Sequence, residues 1–178
     1  MKTFIMIDMQ NDFISGVLGN PDTAAVLPAV CEKVRKIGAD ENAVLLYTMD
    51  THQNSYMDTQ EGRKLPVPHC IEGTTGWELP DELKNAMSCV SKTQQIKKCT
   101  FGAKELPEII TGICGDYPDE IELFGVCTDI CVISNAMLLK AFFPEAEIIV
   151  DSSCCAGVTP ETHKNALEAM KICQITVI

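Results

Sequence analysis

The stretch EIELFGVCTDICVISNAMLLKA, residues 120–141, decides the fold of this chain. It begins as a buried strand that breaks at Gly125 and turns directly into a helix. Cys127 and Cys131 fall at this junction. At a helix start, unpaired N–H groups and the positive end of the helix dipole favour the thiolate, the nucleophilic form of cysteine. Cys131 is therefore the first candidate nucleophile. The two thiols could also form a disulfide or half of a zinc site, but this stretch alone favours the alternative that they are small core residues.

Strand-like and helix-like segments alternate along the rest of the chain. The pattern predicts strands at 2–7, 43–49, 88–93, 120–125, 147–150 and 175–178, and helices at 20–38, 81–86, 104–112 and 160–173 besides the one that follows Cys131. Residues 51–76 lack periodicity and are rich in Gly, Pro, Thr and His, which is typical of a functional loop. This alternation predicts a three-layer αβα fold with a mostly parallel central sheet and Rossmann-like topology.

Composition restricts the number of domains and the classes of partner. A chain of 178 residues with 46% hydrophobic content suits one sizeable core, so we expect a single domain over residues 1–178. The net charge of -11 disfavours nucleic acid and anionic membrane surfaces, and it suits a small neutral or cationic ligand. The apolar run before Asp8 is too short for a signal peptide, and no later segment is typical of a membrane span. Together with ten cysteines placed mostly in apolar runs, this predicts a cytoplasmic protein with reduced thiols.

Polar residues follow three of the predicted strands at the point where each strand ends. They are Asp8, Asp50 and the turn that carries Cys131. Because ligands bind beyond the carboxyl ends of parallel strands, we expect these groups to meet in one crevice. Burial would raise the pKa of Asp8 towards that of a general base unless a cation compensates. The alternative is that Asp8 caps the following turn together with Asn11 and Asp12.

The loop at 51–76 and the strand before it carry a candidate metal site. Asp50, His52 and His69 supply one oxygen and two nitrogens, a set that suits Zn²⁺, Fe²⁺ or Mn²⁺ with positions left open for water or substrate. The alternative is a pair of solvated histidines. Glu61 could be a further ligand or a solvated loop residue. His163, the remaining histidine of the three, is expected to be a surface or capping residue.

Lys98, in the segment IKKCTFGA, is a candidate for electrostatic support of the nucleophile. A lysine that enters a pocket beside a thiol and a carboxylate would hold both groups in their anionic forms. The alternative is that Lys97 and Lys98 form a charged pair on a solvated surface.

Four motifs, found in this order, resemble those of the isochorismatase-like cysteine hydrolases and most closely their nicotinamidase/pyrazinamidase branch. The motifs are IDMQNDF (7–13), MDTH (49–52) with PHCIEGTTGWEL (68–79), KKCTFGA (97–103) and FGVCTDICV (124–132). The resemblance implies a catalytic triad and a divalent metal site, with zinc expected first and iron or manganese as alternatives. The implied triad is Asp8, Lys98 and Cys131, and the implied metal ligands are Asp50, His52 and His69.

The resemblance also implies details of the site around the nucleophile. It implies a cis peptide bond between Val126 and Cys127, with the N–H groups of Cys127 and Cys131 forming an oxyanion hole. It implies Phe13 as a wall of the substrate pocket. Nicotinamidases commonly carry a tryptophan three residues before the second metal histidine, where this chain has Pro66. Trp77 is the candidate to replace the missing ring, and the alternative is that it simply packs within its loop.

The activity implied by the resemblance is metal-dependent amide hydrolysis through a thioester on Cys131, converting nicotinamide and water to nicotinate and ammonia. A homo-oligomer, a small-molecule amide as substrate and a role in NAD salvage are implied as well. The alternatives within the family are a carbamoyl or ureido amide and an isochorismate-type vinyl ether. From other classes, the chain could be a zinc-binding interaction module with an inert Cys131, or a redox protein that uses Cys127 and Cys131.

Overall fold

The computed structural model describes residues 2–115 and 118–178 and contains a six-stranded sheet in which every neighbouring pair is parallel. The spatial order is β3-β2-β1-β4-β5-β6. Strands β2 and β3 lie on one side of β1 and strands β4 to β6 on the other, so the strand order reverses between β1 and β4. This order confirms the predicted αβα class and its parallel sheet. The strands are β1 (Thr3–Ile7), β2 (Val44–Asp50), β3 (Thr93–Lys98), β4 (Glu120–Val126), β5 (Glu147–Ala156) and β6 (Thr176–Val177).

Helices cover the two faces of the sheet. Helix α2 packs against α4, while α6 contacts α5 and α7. No helix in the ranges 2–115 and 118–178 combines the length and the apolar character that crossing a membrane requires. The helices are α1 (Asn11–Ile14), α2 (Pro21–Gly38), α3 (Gln60–Lys64), α4 (Asp81–Met87), α5 (Leu106–Cys114), α6 (Ile133–Phe142) and α7 (Pro160–Ile172).

The start of α2 shows why the sequence predicts its boundary well. The Asn20 side chain accepts the backbone N–H groups of Asp22 and Thr23, and Pro21 occupies the first helical turn. Two of the N–H groups that a helix start leaves unpaired are thereby satisfied. The fixed φ of proline suits this position, where its missing N–H is not needed.

The central strands explain the continuous apolar runs in the sequence. Ile5 and Ile7 of β1, Leu123 of β4 and Val150 of β5 are fully buried. Strands covered on both faces need apolar side chains on both, so they lack the alternation of a half-exposed strand. Buried apolar side chains from the sheet and the helices form one continuous cluster.

The strand predicted at 88–93 is wrong, because β3 runs from Thr93 to Lys98. This strand lies at the edge of the sheet, and most of its side chains are exposed. Its sequence, TQQIKK, therefore lacks the apolar signal of a core strand. Ile96 and Lys98 are its buried side chains. Lys98 therefore lies at the carboxyl end of β3, beside Asp50 at the end of β2.

Two further boundaries differ from the sequence prediction. Strand β5 was expected to end at Val150, but it continues past Asp151 to Ala156, with a register shift against β4 between Leu123 and Gly125. The polar segment Asp151 to Ser153 interrupts the apolar run and hides this continuation. The loop at 51–76 also contains a 3₁₀ turn, Tyr56–Asp58, and helix α3.

A charged cluster lies between α2 and the sheet. Lys33 forms ion pairs with Glu122 and with Asp151, the latter at 2.5 Å, and its ammonium lies 5.4 Å from the centre of the Phe124 ring. Burial alone would lower the pKa of Lys33, but the two carboxylates outweigh burial and raise it. Lys33 thus compensates two carboxylates that the sheet carries into a largely buried position.

Replacement of Lys33 by methionine is expected to lower the free energy of unfolding by about 3 kcal/mol, because Glu122 and Asp151 would face each other without a cation. Denaturant titration measures the change. Lys36→Met is the matched control, since Lys36 lies on the same helix with 74% of its side chain exposed and pairs with Glu32. The control should change stability little. Equal effects of the two substitutions would contradict the structural role of the cluster.

Candidate active site

The turn after β4 carries the candidate nucleophile. The peptide bond between Val126 and Cys127 is cis, as the resemblance implied. The chain then forms a π-helical turn, Thr128–Val132, in which the N–H of Val132 donates to the Cys127 carbonyl at 3.1 Å. Single π-helical turns are frequent at functional sites. Cys131 lies in this turn, and both Cys127 and Cys131 are free thiols.

Gly125 allows this turn to lie beside Asp8. Its φ of 123° is in the region that favours glycine, and a Cβ at this position would lie 2.2 Å from the carbonyl oxygen of Ile7. Strand β4 can therefore approach the end of β1 closely only with glycine here. Asp8 follows Ile7 directly, so this close approach sets the spacing between the carboxylate and the nucleophile turn.

Asp8, Lys98 and Cys131 meet at the carboxyl ends of the central strands. The Lys98 ammonium lies 2.6 Å from Asp8 Oδ2 and 3.5 Å from the Cys131 sulfur. Asp8, Lys98 and Cys131 are 0%, 4% and 6% exposed, so all three lie inside the protein. The Thr48 hydroxyl donates to Asp8 Oδ1 at 2.7 Å. These contacts differ from the turn-capping role considered for Asp8, and burial rules out a solvated surface position for Lys98.

Burial and the neighbouring charges shift the pKa of every member of this trio. Burial raises the pKa of Cys131 well above its ordinary value, and the negative charge of Asp8 adds to this effect. Burial also raises the pKa of Asp8, although Lys98 opposes the shift. For Lys98, burial disfavours the charge, but Asp8, Cys131 and Asp50 outweigh burial and raise its pKa. The helix start therefore does not by itself make Cys131 a thiolate, and proton removal needs a base.

A second cluster contains Asp50, His52 and His69. Asp50 Oδ2 lies 3.0 Å from His52 Nε2 and 3.5 Å from His69 Nε2, and one ligand atom from each residue lies within 4.8 Å of the others. Glu61 Oε1 is 3.8 Å from both of these nitrogens. His69 Nδ1 is 2.8 Å from the Val67 carbonyl, which can only accept, so Nδ1 carries the proton and Nε2 is free to bind a metal.

The chemistry of this donor set fits a divalent cation. One carboxylate oxygen and two imidazole nitrogens are the ligands that zinc and related metals prefer in sites with open positions. Asp50 Oδ1 also lies 3.5 Å from the Lys98 ammonium, so two buried carboxylates, Asp8 and Asp50, share one buried lysine. A bound cation would compensate the remaining negative charge.

Cys131 and the three residues of the second cluster line one cavity of about 610 Å³. The predicted pocket residue Phe13 lines this cavity, whereas Trp77 does not. The Trp77 indole donates to the Thr51 hydroxyl at 2.9 Å, and the Lys97 ammonium lies 5.3 Å from its ring centre. The expectation that Trp77 replaces the missing aromatic wall is therefore wrong. Phe13, Leu18, Leu65, Phe101 and Ile130 provide apolar walls.

Comparison with known families places this geometry in context. The family model described as Isochorismatase domain matches residues 2–178. The chain belongs to the isochorismatase family. The match spans both clusters and the cavity between them.

Similar proteins within this family come from bacteria, archaea and yeast. The nicotinamidase/pyrazinamidase of Mycobacterium tuberculosis is 26% identical, covering 100% of this chain and 98% of that protein. The nicotinamidase of Saccharomyces cerevisiae is 22% identical over 100% of this chain and 99% of its own length. The structure of pyrazinamidase from Pyrococcus horikoshii in complex with zinc superposes with a TM-score of 0.80 at 25% identity, covering 99% of this chain and 98% of that chain. That of pyrazinamidase/nicotinamidase from Streptococcus mutans has a TM-score of 0.85 at 25% identity, with full coverage of both chains.

Several residues that the sequence does not reveal contact the site through hydrogen bonds. His163 was expected at the surface or as a cap, but it is half-buried, and its Nδ1 lies 2.8 Å from the Thr128 hydroxyl of the nucleophile turn. The neighbouring Asp129 carboxylate accepts the Val158 N–H at 3.1 Å. Gln10 and Thr48, both buried, contact Asp50 and Asp8. Each contact joins residues far apart in sequence, and composition or periodicity carries no signal of it.

The purified protein should contain about one divalent ion per chain, as a three-ligand site with open positions would. Replacing His52 and His69 together by alanine should remove this ion, because only one of the three ligand atoms would remain. His163→Ala is the control, because it also removes an imidazole but lies behind the nucleophile turn. Elemental analysis measures the content, and stoichiometric metal in the double variant would show that the ligands are misassigned.

Proposed function

We propose that this protein hydrolyses the carboxamide of nicotinamide, releasing nicotinate and ammonia. The observation that carries the proposal is the shared cavity, in which the thiol of Cys131 and the cluster of Asp50, His52 and His69 face the same space. As a member of the isochorismatase family with relatives named nicotinamidase, the protein is a hydrolase of carbon–nitrogen amide bonds. The homo-oligomeric state and the role in NAD salvage belong to this proposal through the family resemblance, and the cytoplasmic location belongs to it through the sequence pattern.

The first half of the proposed reaction forms a thioester. Asp8 accepts the proton of the Cys131 thiol, and the sulfur attacks the carboxamide carbon. The oxygen of the tetrahedral intermediate takes the negative charge and is stabilised by the backbone N–H groups of Cys127 and Cys131. Asp8 then gives its proton to the amide nitrogen. The carbon–nitrogen bond breaks, and ammonia leaves.

The second half returns the enzyme to its starting state. Asp8 accepts a proton from water, whose oxygen attacks the thioester carbon. The carbon–sulfur bond breaks, the carboxylic acid leaves, and the proton on Asp8 returns to the Cys131 sulfur. One amide and one water are consumed, and one acid and one ammonia are formed. Asp8 therefore acts as base and acid in turn, and its raised pKa suits this exchange.

Lys98 is proposed to hold the charges of this exchange in place. Its ammonium lies close to both Asp8 and Cys131, so it can stabilise negative charge on whichever group is deprotonated. Burial keeps water from screening this interaction. Without Lys98, the negative charge of Asp50 would disfavour ionisation of both Asp8 and Cys131.

The metal cluster is proposed to orient the substrate. Asp50, His52 and His69 would hold a divalent ion, most simply zinc, with iron or manganese as alternatives. When bound, this ion supplies an electron-pair acceptor for the ring nitrogen of a pyridine or pyrazine. Phe13 and the other apolar walls exclude water from the two faces of the ring. Orientation of this kind lowers the entropic part of the barrier.

Cys131→Ala is expected to reduce turnover by several orders of magnitude, because no other group can form the thioester. Metal content and the far-ultraviolet circular dichroism spectrum should stay unchanged. Cys127→Ala is the matched control, since only the backbone N–H of Cys127 is proposed to act, and it should lose much less activity. Comparable turnover by wild type and Cys131→Ala would exclude the thioester mechanism.

The choice of substrate is tested by comparing nicotinamide, pyrazinamide and benzamide with the metal-loaded enzyme. Nicotinamide and pyrazinamide should release ammonia, and benzamide should be much poorer because it has no ring nitrogen. Because Pro66 stands in place of tryptophan and Trp77 lies outside the cavity, one aromatic contact with the substrate is missing. Such a contact is worth roughly 0.5–1.5 kcal/mol, so its loss should raise the Michaelis constant by up to about tenfold. Equal rates on nicotinamide and benzamide would show that the ring nitrogen is not recognised. Activity on a carbamoyl or ureido compound without turnover of nicotinamide would favour the alternative substrate class.

A further inference from the structure

Alternate side chains of the segment that follows β1 reach both halves of the site. Asp8 contacts Lys98, whereas Gln10 and Asp12 contact the main chain around Asp50 and Cys70. We propose that Gln10 and Asp12 are positioning residues that hold Asp50 and His69 in the geometry needed to bind a divalent metal. This inference rests on the proposed function, because it assigns residues to the same metal site.

Gln10 forms hydrogen bonds with both main-chain polar groups of Asp50, its N–H and its carbonyl. Its side chain is 0% exposed, and its Oε1 accepts the N–H of Asp50 at 2.7 Å. Its Nε2 donates to the Asp50 carbonyl at 2.8 Å and to the Trp77 carbonyl at 2.9 Å. Both N–H donors and the oxygen of the amide are therefore used inside the protein. The Gln10 side chain thus connects Asp50 to Trp77, which directly follows the loop at residues 51–76.

Asp12 holds the residue next to the second histidine ligand. Its Oδ2 accepts the backbone N–H of Cys70 at 2.8 Å. Cys70 has a φ of 47°, a left-handed conformation that side-chain-bearing residues seldom adopt without support. A Cβ on Gly76 would lie 2.3 Å from the Asp12 carboxylate oxygens, so the glycine leaves room for this carboxylate. Asp12 therefore supports the unusual backbone that follows His69.

Gln10 and Asp12 act beside contacts within the loop itself, where the N–H of His52 donates to the Cys70 carbonyl at 2.9 Å and the N–H of Glu72 donates to the His52 carbonyl at 2.9 Å. His52 and His69 lie seventeen positions apart, and the chain between them joins a 3₁₀ turn and helix α3 through irregular segments. Such a segment has conformational freedom that metal binding would have to restrict. Partners that orient metal ligands typically change metal affinity 10- to 100-fold when they are replaced. Gln10 and Asp12 belong to a segment fixed by the buried strand β1, so they can provide that restriction in advance.

Gln10→Glu and Asp12→Ala test the inference. Glutamate keeps the size of the side chain but, when ionised, cannot donate to the Asp50 and Trp77 carbonyls. Asp12→Asn should rescue the effect of Asp12→Ala, because its amide oxygen can still accept the Cys70 N–H. Asn11→Ala is the matched control, since Asn11 donates to the Thr75 carbonyl of the same loop at 2.8 Å.

The measurement is the dissociation constant for Zn²⁺, obtained by competition with a chromophoric chelator, together with denaturant unfolding of each metal-free protein. Gln10→Glu and Asp12→Ala should weaken Zn²⁺ binding about 10- to 100-fold, while Asp12→Asn and Asn11→Ala stay within a few-fold of wild type. Each variant should still unfold cooperatively. If Gln10→Glu does not fold, Asp12→Ala with its asparagine rescue decides the question.

Three outcomes would overturn the inference in distinguishable ways. Tight Zn²⁺ binding by wild type and unchanged affinity in Gln10→Glu and Asp12→Ala would reject the positioning role and leave the proposed function intact. A wild-type protein that does not bind Zn²⁺, Mn²⁺ or Fe²⁺ would reject the metal part of the proposed function and this inference with it. If Asn11→Ala weakened Zn²⁺ binding as much as Asp12→Ala, general loosening of the loop would explain the effect. That result would contradict a specific positioning role of Asp12.

Discussion

The buried ion pair between Asp8 and Lys98 is the interaction on which the rest of the site depends. Two charges that are 0% and 4% exposed can exist at this depth only as partners. Asp8 follows β1 and Lys98 ends β3, so the pair spans β2, which lies between them. Thr48 and Asp50 of β2 contact the two charged groups. The ion pair thereby fixes the carboxyl ends of three strands relative to one another.

The topology of the sheet explains why the nucleophile reaches this pair. The order of the strands reverses between β1 and β4, and such a point leaves a crevice beyond the carboxyl ends of the two strands. Gly125 brings β4 close to Ile7, and the turn after β4 then places Cys131 near Lys98. The loop at residues 51–76, which carries His52 and His69, starts at the end of β2, the neighbour of β1. Cys131 and the metal cluster therefore border a single cavity, because β4 and β2 lie on either side of β1 in the sheet.

Residue patterns predicted the central part of the fold and most of the candidate site, and tertiary contacts determined the remainder. Continuous apolar runs located β1 and β4, and polar residues at their ends identified Asp8 and Cys131. The edge strand β3 was misplaced because its exposed side chains are polar, although Lys98 at its end was still a candidate. Trp77 was assigned to the cavity from its aromatic character, but its hydrogen bond to Thr51 holds it elsewhere. The contacts of Gln10 and His163 connect distant segments, so no local pattern could reveal them.

The central claim is that Cys131 carries the acyl group during turnover. Acid quenching of the metal-loaded wild-type enzyme with nicotinamide, followed by proteolysis and mass spectrometry of the peptides, tests it most directly. The thioester mechanism predicts a nicotinoyl group bound to the sulfur of Cys131 and to no other cysteine. The acyl group on Cys99 or Cys127, which also line the cavity, would contradict the account.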